Sequence, residues 1–117
     1  MVSVLVDNNE VVLHFGLGEL TALDRDLGFE VKEVKLGSGL DFLVPKLESG
    51  DVVGLATMLK AATSRQPYPL KTEAQLESAL VYAHETYGSF KAFGEIVIEE
   101  MGKYVLTQDL IKKHQKD

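Results

Sequence analysis

The chain has 117 residues, 45% of them hydrophobic and none of them cysteine, with a formal net charge of −6. This length suits one domain around one modest core. The missing cysteine excludes disulfides, thiolate metal sites and cysteine nucleophiles, and it suits a reducing compartment, by default the cytoplasm. Ten acidic and four basic side chains fall in residues 1–51, against eight of each in the remaining 66. With KKHQKD at the end as the one basic cluster, nucleic-acid binding is disfavoured, because that affinity comes largely from Lys and Arg displacing phosphate counterions.

MVSVLVDNNE lacks the basic and apolar regions of a secretory signal, and no apolar run reaches the roughly 18 residues of a membrane span. Val2, Val4 and Val6 alternate, DNNE follows, and VVLHF resumes the extended pattern, which predicts a β-hairpin over 1–15. In GLGELTALDRDLGF, Leu17, Leu20, Leu23 and Leu27 recur at helical spacing and Gly28 stands where a helix stops. EVKEVKLG alternates with many charges and reads as an edge strand or a loop.

GSGLDFLVPKLESGD predicts a helix that Ser38 caps, with Asp41 in its electropositive first turn and Pro45 deep enough to bend it. Asp51 is the predicted cap of the next helix, DVVGLATMLKAATS. RQPYPLK, with two prolines, makes 65–71 a connection. Thr72 and Gln75 form a predicted capping box for a helix ending at Gly88, and Ser89 caps the last long helix, FKAFGEIVIEEMGKYVL, with TQDLIKKHQKD as a polar helical tail. The expected layout is therefore one domain over 1–117. It comprises a hairpin (1–15), helices with a Gly/Pro hinge (16–64), a connection (65–71) and C-terminal helices (72–117). The class is mainly α, or α+β by strict count, with about five helices.

Two apolar faces are wide. At about 100° per residue, Val52, Val53, Leu55, Ala56, Met58, Leu59 and Ala62 span roughly 220°, where a surface helix needs little over 100°. Phe90, Phe93, Ile96, Val97, Ile98, Met101, Tyr104 and Val105 cover roughly 200°, with Glu100 inside the arc and so expected to pair with a basic group on a neighbouring helix or chain. Helix 73–87 has a cleaner stripe that leaves Val81 and Tyr82 off it. Either the wide helices are central and covered on two sides, or part of their surface meets other chains.

Chemistry has little support. FGLGELT lacks the third glycine of a dinucleotide fingerprint and follows a hairpin strand, so Gly16 and Gly18 read as a strand-to-helix turn. LGSGLD lacks the Lys-Ser/Thr of a phosphate loop, and Ser38 lacks the G-x-S-x-G pattern of a nucleophile elbow. His14, His84 and His114 are scattered, and His84-Glu85 has no histidine four residues after the first. Glu95 and Glu99 are i,i+4 neighbours on a solvated face. No catalytic residue, metal site or cofactor is expected, and the chain reads as a non-enzyme.

The ordered set F-G, a leucine-bearing helix, K-L-G-x-G-L, a proline-containing helix, L-x-x-G-D and a helix running into A-T occurs as "FGLGELTALDRDLG" and "VKLGSGLDFLVPKLESGDVVGLATMLKAAT". Over roughly residues 11–63 this resembles the tail assembly chaperones of long-tailed phages and prophages of Gram-positive bacteria. The resemblance implies a protein that binds the tape measure protein, a long, helix-rich, aggregation-prone chain, until the tail tube polymerises around it. It also implies action in the host cell cytoplasm, absence from the mature virion, and in many members a frameshifted longer form. Self-association is expected from the wide faces. Leu40, Phe42, Leu43, Val44, Leu47, Val52, Leu55, Met58 and Leu59 are the residues expected to meet client or neighbouring copies, some of them belonging to the core instead. The competing reading is a structural virion component, such as a head-tail connector or tail-tube protein.

Overall fold

The computed structural model describes residues 1–26, 38–104, 107, 108 and 111. The reading of EVKEVKLG and most of the polar tail lie outside them. Among the described residues, two strands, β1 (Ser3–Val6) and β2 (Asn9–Val12), precede five helices: α1 (Leu17–Asp26), α2 (Ser38–Ser49), α3 (Val52–Ala62), α4 (Glu73–Tyr87) and α5 (Phe90–Met101). The protein is mainly α with a small antiparallel sheet, as the sequence predicts.

The hairpin closes because Asp7 and Asn8 accept left-handed backbone, with φ of 51° and 66°. That two-residue turn sets the register, pairing Val6 with Asn9 and Val4 with Val11. Val2, Val4, Val6, Val11 and Leu13 consequently share one buried face, while Leu5 and Glu10 face outward. The face packs on α4 through β1, and the Tyr87 hydroxyl at the end of α4 donates to Ser3 O at 3.0 Å. Beyond β2, His14 N donates to Ala62 O at 3.0 Å, tying the hairpin to the end of α3.

Each helix starts on a side chain that satisfies its free amides. The Glu19 carboxylate accepts from Gly16 N at 3.1 Å, so Gly16 serves helix entry, while Gly18 lies within α1. Asp51 accepts from Gly54 N at 2.8 Å to open α3, and Ser89 accepts from Ala92 N at 3.0 Å to open α5. The Thr72–Gln75 capping box is complete at the start of α4. The beginning of α2 differs from expectation. Ser38 is its first helical residue, and a buried carboxylate from another helix, Asp24 of α1, accepts from Gly39 N at 2.7 Å. The helical assignment of α2 continues through Pro45, which is exposed.

Helix α3 is the hub, packed against α1, α2 and α4. Leu55, Met58, Leu59, Ala61 and Ala62 are all buried, so its wide apolar arc is the signature of several neighbours inside one chain. Helix α5 crosses α2 at Gly94, where an added Cβ would lie 1.9 Å from Leu47 O, a backbone approach open only to glycine. Phe93, Val97, Ile98 and Met101 are buried on this helix. Glu100, also buried, lies 3.5 Å from Lys103 Nζ, three residues on, and 3.4 Å from the Met1 ammonium, so its partners are a local lysine and the N-terminus and not a group on a neighbouring helix or chain.

Candidate functional site

The structure divides the nine residues expected to make contacts. Leu40, Leu43, Val44 and Leu47 line the inner face of α2, and Leu55, Met58 and Leu59 that of α3; all seven are at most 1% exposed. They belong to the core of this chain. The apolar gap among α1, α2, α3 and Met101 measures about 10 Å³, no more than the smallest space that holds one water, so this gap has no room for a ligand.

Phe42 and Val52 remain on the surface, 52% and 44% exposed, and Val53 beside them is 73% exposed. All three sit on the α2–α3 helical hairpin, which turns tightly at Gly50 (φ +75°) and Asp51. Lys46, one turn after Phe42, places its ammonium 5.3 Å from the Phe42 ring centroid. Its Cβ would lie 2.9 Å from a Cβ added at Gly54, so the two helices meet closely beneath the exposed residues. Phe42 on α2 and Val52 and Val53 at the start of α3 are thus exposed apolar residues on the two arms of this hairpin, with the charged Asp41, Lys46 and Glu48 also exposed on α2.

A second exposed surface lies on α4. Its stripe of Leu76, Ala79, Leu80 and Ala83 packs inward, which turns Ala74, Ser78, Val81 and Glu85 outward. Val81 is 50% exposed and Tyr82 half-buried beside it. With Glu77 they border a shallow depression of about 480 Å³. Both residues fall off the inward stripe in the sequence, which is the signal that marks them.

Of the residues singled out for chemistry, His114 lies outside the described residues, while His84, His14 and Glu95 make local contacts. His84 stacks edge-on against Phe90 with ring centroids 4.8 Å apart, and His14 meets Tyr104 at 6.4 Å in the same manner. Glu95 pairs with Lys91 at 3.0 Å on an exposed face. Among the described residues no group of three His, Cys, Asp or Glu side chains converges as a metal site would require. Burial raises the phenol pKa of Tyr87, assisted by nearby Tyr82, and burial together with Glu100 raises that of Tyr104. Each hydroxyl donates to a carbonyl of the N-terminal segment, Ser3 O for Tyr87 and Leu13 O for Tyr104 at 3.4 Å. They are tethers between the hairpin and the last helices. Among the described residues no helix is long and apolar enough to cross a membrane.

The surface thus carries exposed apolar residues on α2, α3 and α4 among polar ones. No curated protein and no solved structure matches the chain. A family model described as phage tail assembly chaperone protein, TAC, matches residues 3–116.

Proposed function

The chain belongs to the phage tail assembly chaperone family, and from that premise we propose that its client is the tape measure protein, held soluble before and during tail tube polymerisation. The observation that carries this reading is the exposed apolar group Phe42, Val52 and Val53 on the α2–α3 hairpin. A client built of amphipathic helices needs apolar surface to cover its stripe, and a chaperone that must later release it needs that surface to be small. Fully burying one such side chain is worth about 1.5–3 kcal/mol, so a few of them give weak local binding. Many weak contacts along a long client give firm overall holding. The role has no chemical step. It is exercised in the host cytoplasm and leaves no copy of the chain in the finished particle.

Co-expression tests the reading. A tape measure fragment that aggregates alone should appear in the soluble fraction when this chain is present and co-purify with it. Equal aggregation with and without the chain would defeat the proposal. Mass spectrometry of purified particles separates it from a structural tail role, which requires the chain in stoichiometric amount.

A further inference from the structure

A cleft of about 320 Å³ opens where the last turns of α1 and α3 meet the connection before α4. Its apolar lining comes from Ala22, Pro69 and Leu70, and Arg25, Lys60 and Lys71 border it together with one carboxylate, Asp26. The three cations are exposed, and among the described residues none of them forms an ion pair. The chain as a whole is acidic, with a net charge of −6. An uncompensated surplus of cations at one cleft is therefore a local feature and not the general character of the surface.

The connection side of the cleft is built into the fold. Gln66 N donates to Thr63 O at 3.0 Å, and Leu70 N donates to the buried Thr63 hydroxyl at 3.0 Å. Lys71 N and Thr72 N both donate to the Gln75 side chain, at 2.9 and 3.1 Å. All three cations thus start from backbone held by hydrogen bonds, Lys71 in this connection and Arg25 and Lys60 in the last turns of their helices. A ligand that binds here has little of the chain to put in order.

Carboxylates match the cations, and an apolar side chain between them covers Ala22, Pro69 and Leu70, which a bare anion would leave in water. Nucleic acid spreads its charge along a whole strand and would meet a chain that is acidic elsewhere. At about 320 Å³ the cleft is small among ligand sites and suits a short segment. We propose that the Arg25–Lys60–Lys71 cleft binds an acidic segment of the client, an apolar residue flanked by Asp or Glu, in addition to the contacts at Phe42, Val52 and Val53. The inference rests on the client reading for the partner and adds the chemistry of the segment that is held. Surface ion pairs are individually weak and screened by salt, so the cleft selects a segment by its charge and releases it readily.

The test is fluorescence anisotropy on the full chain with two labelled peptides of about 15 residues, long enough to form a helix, one with its leucines flanked by glutamates and the other with the same leucines flanked by lysines. The glutamate peptide should bind at least about tenfold more tightly than the lysine peptide, and its affinity should fall as salt is raised. Lys60→Glu with Lys71→Glu should invert that preference, while Phe42→Asp with Val53→Asp should leave it unchanged. All four positions are exposed, and circular dichroism matching the wild type checks that the variants fold. No binding of the glutamate peptide, equal binding of both peptides, or a preference that survives reversal of the cleft would each overturn the proposal. Displacement of the glutamate peptide by inorganic phosphate at constant ionic strength would also overturn it, by assigning the cleft to small anions. So would a reversed variant that sediments differently but binds the peptide unchanged, which would assign the cleft to a second copy. The comparison of the two peptides on the unmodified chain needs no variant. Co-expression decides the client reading separately, so failure of the peptide test leaves that reading intact.

Discussion

Helices α3 and α4 show how differently an apolar pattern can be used. Helix α3 carries apolar residues over roughly 220° of its circumference; Leu55, Met58, Leu59 and Ala62 are inside, covered by α1, α2 and α4, while Val52 and Val53 at its start are exposed. Helix α4 has a narrow inward stripe, yet its off-stripe residues Val81 and Tyr82 lie at the surface. A wide arc therefore combines the faces covered within the chain with apolar surface left over, as at Val52 and Val53. On a helix with a narrow stripe, apolar residues standing outside it mark the exposed surface directly, as Val81 does.

The largest expected effect breaks the hub. Leu55→Asp together with Leu59→Asp places two charges at positions that are 0% exposed, and the variant should be unfolded by circular dichroism. A folded monomer would instead mark these residues as interface. Leu59→Ala alone should lower unfolding free energy by about 2–5 kcal/mol in urea titrations. Thr72→Ala, which removes the cap of α4, should cost about 1 kcal/mol. Val81→Ser, on the exposed side of the same helix, should change stability by no more than about 0.5 kcal/mol. If Val81→Ser cost as much as Leu59→Ala, the contrast between the two helices would be lost.

The two tyrosine tethers sharpen the picture at alkaline pH. Their folded-state pKa values are raised above the ordinary 10.0, first by burial, so folding favours the neutral phenol. This contribution is fully present below about pH 10 and declines as pH rises through the raised values. Melting midpoints should fall above that pH, and Tyr87→Phe should reduce the decline.

Local chemistry was the legible part of the sequence. Asp7 and Asn8 at the turn, Asp51, Thr72 with Gln75, and Ser89 act within three residues of the backbone they serve, so spacing alone reveals them. Asp24 was not legible in this way, since it accepts from Gly39 fifteen residues later on another helix. The division of Leu40, Phe42, Leu43, Val44, Leu47, Val52, Leu55, Met58 and Leu59 was equally hidden. Periodicity gives the face a residue occupies, but only the packing of α5 at Gly94 and of α3 at the hub decides which faces are covered. Phe42 and Val52 lie where that packing stops.

The most direct measurement is co-expression of a tape measure fragment with the Phe42→Asp, Val53→Asp variant. Both substitutions are at exposed positions, so the variant should melt like the wild-type chain. The account expects the fragment to return to the insoluble fraction. A variant that is equally folded and keeps the fragment as soluble as the wild type does would contradict the claim that this surface holds the client.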